Sequence, residues 1–121
     1  MYLFDTNAII NIIRSDFKVG GIIYYFSIVS EIELLGFHKI NELEKSIIEN
    51  YCSDSGRIIL DKSIKNEIIY LRKKYKLKTP DAIICGTALT YDLTLITNDK
   101  QLLMIDEINS LTIENLIDRK N

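Results

Sequence analysis

One histidine, His38, is all the imidazole the chain carries. Zinc sites built on several histidines, and nucleophilic triads that need a histidine base, are therefore not expected. Cysteine is nearly as scarce. Cys52 and Cys85 form no spaced pattern and accompany no secretion signal, so both are expected to be reduced, partly buried small residues. The one proline, Pro80, follows Thr79 at what reads as a helix start, where its missing N–H does no harm. Apolar runs such as Ile22 to Phe26 fall far short of the roughly 20 residues a membrane span needs. Asp5 stands where a signal peptide would be basic, and the expectation is a cytoplasmic protein with no membrane role. No glycine-rich phosphate loop, repeat, linker or low-complexity stretch is found.

What is present is an ordinary globular balance, 47% hydrophobic and 26% charged in 121 residues. That length suits one domain, residues 1–121, burying about two thirds of its unfolded surface. The net charge of −2 hides a segregation. Between Lys62 and Lys78 seven Lys or Arg face one acid, Glu67, which leaves 8 basic and 16 acidic residues elsewhere. A polyanion-binding edge beside an acidic, cation-attracting site has this signature, as does a merely solvated helix face.

Along the chain, Tyr2 to Phe4 reads as a buried strand, with Thr6 or Asn7 capping a helix from about Ala8 to Arg14. Gly20 and Gly21 mark a loop and Ile22 to Phe26 a second strand. Ser27 or Ser30 then starts a helix with Ile28, Ile32 and Leu35 on its inner face, closed by Gly36, and another helix spans about Ile40 to Tyr51. Arg57 to Leu60 is a strand, and Ile64 to Tyr75 an amphipathic helix ending in the basic cluster. Thr79 caps a helix running to about Tyr91, Leu93 to Ile96 is a strand, Asn98 or Asp99 starts a short helix, and Leu111 to Ile113 is a weak terminal strand. Continuously apolar strands alternating with helices predict an α/β fold: a three-layer α/β/α sandwich around a mostly parallel sheet.

Sites in such sheets form outside the carboxyl ends of the strands. Four acids fall there: Asp5 after the first strand, Glu33 on the helix after "IIYYF", Asp81 in the first turn of the helix opened by Thr79 and Pro80, and Asp99 after "LTLIT". Each has a structural alternative, as a turn residue, an N-cap, a partner of a helix dipole or a solvated helix residue. Together they would repel by roughly 4 kcal/mol per pair at about 4 Å, so converging them requires a cation between them. Oxygen donors without histidine or thiolate suit Mg²⁺ or Mn²⁺. One or two such ions can activate a water and neutralise the oxygen leaving a phosphodiester.

Four blocks carry a family resemblance: "LFDTNAII", "SEIELLG", "TPDAIICGTAL" and "LTLITNDKQL", with their acids separated by 28, 48 and 18 residues. Over nearly its whole length the sequence resembles a PIN domain and, within that superfamily, the compact VapC-type toxins of toxin–antitoxin pairs. The resemblance implies a metal-dependent endoribonuclease leaving 5′-phosphate and 3′-hydroxyl ends, with Asp5, Glu33, Asp81 and Asp99 as catalytic and metal-holding residues. Asn7 and Thr97 match polar motif positions that support the carboxylates or the attacking water. Glu31 competes with Glu33, which is chosen because it directly precedes Leu34-Leu35-Gly36. Two departures are noted: Asp92 where the family often has glycine, and Cys85 where alanine is common. The expected partners are an RNA substrate, held along its backbone by Arg72, Lys73, Lys74, Lys76 and Lys78, a cognate antitoxin whose C-terminal segment fills the acidic groove, and a second copy in a homodimer. The helix pair from about Ser27 to Tyr51, with Phe37 and Tyr51, is the expected contact surface, ordinary core packing being the alternative.

Two other classes compete. A PIN-like protein could bind RNA or a partner without cutting it, usually after losing acids that are all retained here. A phosphatase of the haloacid-dehalogenase type needs a second aspartate two residues after Asp5, where Asn7 stands, and a receiver domain, with Asp61 as phosphoacceptor, lacks its acidic pair.

Overall fold

The structure, a computed structural model, describes residues 1–14 and 24–120. The elements are β1 (Tyr2–Phe4), α1 (Thr6–Arg14), β2 (Tyr24–Ser27), α2 (Ile28–Leu35), α3 (Glu42–Asp54), β3 (Gly56–Ile58), α4 (Lys62–Tyr75), α5 (Thr79–Tyr91), β4 (Thr94–Ile96), α6 (Lys100–Leu103), β5 (Ser110–Leu111) and α7 (Ile113–Lys120). The expected Gly20–Gly21 loop and the start of the strand from Ile22 lie outside the described residues. The strands form one five-stranded sheet in the order β3-β2-β1-β4-β5, and every pairing is parallel.

Strand alternation sends successive side chains to opposite faces. Leu3 and Leu95 point to one face, where α4, α5 and α6 contribute Leu71, Ala82, Cys85, Ala88 and Leu102. Phe4, Phe26 and Ile96 point to the other, against Ile9 and Ile12 of α1, Leu34 of α2, Ile48 of α3 and Leu116 of α7. This is the expected α/β/α sandwich. Cys52 and Cys85 are both free and buried on opposite faces, which rules out a bridge between them. The small-residue run of α5 lets it lie close on α4: a Cβ on Gly86 would come within 2.7 Å of the Ile68 side chain.

Several local expectations are corrected. α1 begins at Thr6, and its cap is Asp5 rather than Thr6 or Asn7. α2 does begin after Ser27, whose hydroxyl accepts from the Val29 N–H, but Ile32 is 63% exposed while Leu34 and Ser30 are buried. Thr79 is a helical residue, with Lys78 in the cap position, and its hydroxyl accepts from Arg72 Nε. Ile59 and Leu60 are exposed outside β3. Ile113 begins α7 instead of ending a strand, because Thr112 caps that helix by accepting from the Asn115 N–H at 3.1 Å. Asp61, the forced phosphoacceptor, is the N-cap of α4. Asp92 closes α5 with a left-handed backbone, φ 52°, which is why glycine suits this position.

A polar clamp fastens the segment after α6 to α4. The Glu107 carboxylate accepts from Tyr70 Oη at 2.6 Å, from Lys74 Nζ at 2.9 Å and from the Tyr75 hydroxyl. These donors, the Tyr70 hydroxyl foremost, hold Glu107 down at about 2.

Glu107 therefore stabilises the fold fully above the ordinary glutamate value of 4.5 and loses that contribution as pH falls toward about 2. The melting temperature of Glu107→Gln, followed by circular dichroism, is expected to fall less steeply than that of the wild type across this window. Asp92→Gly is expected to raise unfolding free energy by about 0.5 to 1 kcal/mol in urea titrations, since glycine adopts the left-handed backbone without a Cβ penalty.

Candidate active site

The strand order has one reversal. From β1 the chain steps outward to β2 and β3, then returns to place β4 on the other side of β1. The crevice at the carboxyl ends of β1 and β4 is the switch point of this sheet, and both strands end in candidate acids. Asp5 follows β1 directly, its N–H bonded to the Ile96 carbonyl of β4 at 3.1 Å. Its Oδ1 accepts the Ala8 N–H at 2.8 Å, capping α1, and the Thr97 hydroxyl donates to the same carboxylate. Only 6% of Asp5 is exposed. Burial raises its carboxyl above the ordinary range, the Thr97 and Ala8 bonds oppose this, and the charges of Asp81 and Asp99 push it further up.

Asp99 follows β4 and caps α6, its Oδ1 accepting from the N–H groups of Gln101 and Leu102 at 2.8 and 3.3 Å. Thr97, fully buried, joins the two acids: its oxygen accepts the Asp99 N–H at 3.0 Å while its proton goes to Asp5. Asp81, half-buried in the first turn of α5, is raised by burial and then by the charges of Asp99 and Glu33, with Lys78 opposing. Glu33 lies on α2, exposed, and accepts a 2.7 Å hydrogen bond from the Thr6 hydroxyl. Thr6 Oγ1 is also 2.9 Å from Ser30 Oγ. The competing Glu31 is committed elsewhere, in a two-pronged pair with Arg57 at 2.7 Å on each prong. Asn7 is exposed on α1 and its side chain makes no hydrogen bond to the four acids, although its carbonyl accepts from Asn11.

Among the described residues no three acidic, histidine or cysteine side chains stand close enough to clasp an ion as placed. The four acids are electrostatic neighbours and not a closed cage. Their chemistry nonetheless fits a hard divalent cation. All donors are carboxylate oxygens, no ion pair among the described residues reaches them, and magnesium is held through one or two carboxylates while it keeps waters that other acids can contact. Cys85, one helical turn from Asp81, is fully buried, and burial first, then the charges of Asp81, Asp5 and Asp99, pushes its thiol up to about 12.

Of the basic candidates, Arg72, Lys73, Lys74, Lys76 and Lys78 are all exposed around the junction of α4 and α5. Lys74 is spoken for by Glu107, and the Arg72 guanidinium touches Thr79. Tyr51, expected at a contact surface, instead packs its ring against Tyr24 and Phe26 in the core. Phe37 is 54% exposed, and lines a groove of about 590 Å³ with Ile10, Ile13 and Ile47, at whose edge stand Thr6 and Glu33. No helix among the described residues is long and apolar enough to cross a membrane. Thr6 and Ser30 read from the sequence only as candidate helix caps, although both lie inside the quoted blocks. Only the packing of α1 against α2 brings them to Glu33.

Comparison with known proteins agrees with this layout. A chain of a toxin–antitoxin complex from Klebsiella pneumoniae is 28% identical, with a TM-score of 0.76 over 93% of this chain and 97% of that one. DNA-bound VapBC from Salmonella typhimurium contains a chain with the same fold at 19% identity and TM-score 0.82, covering 93% of this chain and 97% of its own. VapBC2 from Rickettsia felis contains another, at 18% identity and TM-score 0.80, covering 92% and 97%. No curated protein matches significantly by sequence. The PIN domain profile matches residues 2–108, nearly the whole of the sheet and the strand ends that carry the four acids. The chain belongs to the PIN domain family and is built like the VapC-type members of it.

Proposed function

We propose that this protein is a Mg²⁺- or Mn²⁺-dependent endoribonuclease and the toxin of a toxin–antitoxin pair. The observation that carries the reading is Asp5: a buried carboxylate at the switch point, raised by burial and by its acidic neighbours, with no cationic partner among the described residues. A protein of the PIN family tolerates this charge because a divalent ion is drawn to it. Asp5, Asp81, Asp99 and Glu33 are the residues that would hold the ion, directly or through its waters. When bound, the ion supplies an activated water and a countercharge for the oxygen that leaves phosphorus.

The protein's own groups do the positioning. Thr97 holds Asp5 and the Asp99 turn in one register, and the cap bonds of α1 and α6 fix both carboxylates against rotation. Asn7, exposed on α1, is placed to meet substrate or water instead of the acids. Arg72, Lys73, Lys76 and Lys78 attract the phosphates of RNA, and Lys78, which already opposes the charge on Asp81, is the basic group nearest the acids in effect. Single-stranded or looped RNA fits best, since its bases can be splayed away from the scissile bond. The toxin role is supported by the 28% identity to a chain of the Klebsiella pneumoniae complex. The apolar groove beside Glu33 is the proposed seat for an antitoxin, with a homodimer in the cytoplasm as the working assembly.

Asp5→Asn keeps the cap on α1, because asparagine also caps well, and removes a charge that burial disfavours. Since the folded-state value of Asp5 is raised, its ionised form costs stability as pH rises through that value, so the variant is expected to melt above the wild type at neutral pH in metal-free buffer and to converge with it in acid. The same variant is expected to lose RNA cleavage by about 100-fold or more, measured on labelled single-stranded RNA with Mn²⁺. Full activity in Asp5→Asn rejects the assignment. Saturating Mn²⁺ is expected to raise the melting temperature of the wild type by several degrees and that of Asp81→Asn much less.

A further inference from the structure

We propose that Thr6 is a positioning residue for Glu33, a reading that rests on the divalent-metal nuclease assigned above. Glutamate on an exposed helix face ordinarily sweeps through several rotamers. Glu33 does not have that freedom, because Thr6 Oγ1 donates to its Oε1 at 2.7 Å across the gap between α1 and α2. Thr6 can do so because it is not the cap of α1. Asp5 performs that task, and the Thr6 hydroxyl is left to point sideways from the first turn.

The second contact of Thr6 is to a buried serine of the same helix. Ser30 is completely buried, one helical turn before Glu33, with Oγ 2.9 Å from Thr6 Oγ1. A hydroxyl has one proton to give and two lone pairs. The Thr6 proton thus faces two acceptors on α2, Glu33 Oε1 at 2.7 Å and Ser30 Oγ at 2.9 Å, and the charged carboxylate makes the shorter bond. The branched Cβ of threonine stiffens its first torsion, so the oxygen is held where α2 needs it. Oε1 is thereby occupied and Oε2 is the oxygen left for the ion or one of its waters.

The test is a double-mutant cycle read by Mn²⁺ binding and by RNA cleavage. Wild type, Thr6→Val, Thr6→Ser, Glu33→Gln and the Thr6→Val/Glu33→Gln pair are titrated with Mn²⁺ by electron paramagnetic resonance. Thr6→Val keeps the shape and removes the hydroxyl. It is expected to weaken Mn²⁺ about 10-fold, the usual size for loss of a group that orients a metal ligand, and to lower kcat on single-stranded RNA with KM nearly unchanged. Thr6→Ser should restore binding to within about threefold. In the Glu33→Gln background Thr6→Val should cost nothing further, because Thr6 acts through that carboxylate. Should Thr6→Val fail to fold, Thr6→Ala takes its place in the cycle. Wild-type Mn²⁺ affinity in the hydroxyl-less variant, or losses that multiply in the pair, overturns the role of Thr6 and leaves the nuclease standing. A wild type that binds no Mn²⁺ overturns both.

Discussion

Asp5 places a carboxyl group where all but 6% of the residue's surface is taken from water, and the surrounding architecture is arranged so that its ionised form is tolerable. The carboxylate lies at the end of β1, the middle strand of the sheet, with β2 on one side and β4 on the other. An isolated buried carboxylate is costly enough that it would normally take up a proton. Two donors resist this: the Ala8 N–H at the start of α1 and the Thr97 hydroxyl at the end of β4. The helix is thus started by the same group that points into the crevice, and the neighbouring strand is tied to it by a side chain. Moving Asp5 by one residue would leave α1 uncapped and turn the carboxylate to the other face of β1.

The same economy recurs around the crevice. Asp99 caps α6 and faces Asp5 across the switch point, so its orientation follows from the helix it begins. Charges that would compete are removed to pairs of their own. Arg57 is engaged by Glu31, and Lys74 by Glu107 together with two tyrosines. Among the described residues, what remains near the acids is negative charge without an ion pair, shaded by Lys78 on the side of Asp81.

The architecture was legible because its signals are local and strong: apolar strands of three or four residues, helices with caps and periodic faces, and four blocks of motif in order. What eluded the sequence depends on contacts between elements. Asp5, Thr6 and Asn7 are all capable caps, and only the turn of the backbone after β1 selects Asp5. Ile32 has the right spacing for an inner face, but α2 buries Leu34 and Ser30 instead, with Ser30 bonded to Thr6 of α1. Tyr51 suits a contact surface or ordinary core packing equally by sequence, and its tilted ring contacts with Tyr24 and Phe26 favour the core beside β2. α7 was missed since Thr112 is a weaker signal than the apolar residues on either side, which suit a strand or a helix equally well. The choice of Glu33 over Glu31 rested on motif spacing, and it is the Arg57 pair that supplies a physical reason.

On the proposed reading, the segregation of charge along the sequence becomes an order of binding. Basic side chains at the α4–α5 junction draw a polyanion toward the strand ends, where four carboxylates repel it at short range. At an ionic strength near physiological, exposed charges act over about 8 Å, so attraction by the outer cations and repulsion by the inner acids are felt as separate zones. A divalent ion held there would offset part of that inner negative charge and so ease the approach of a phosphate to the acids. Such an ion would serve substrate entry as well as supply an activated water, and a chain with net charge of only −2 would handle nucleic acid by where its charges lie instead of by their sum.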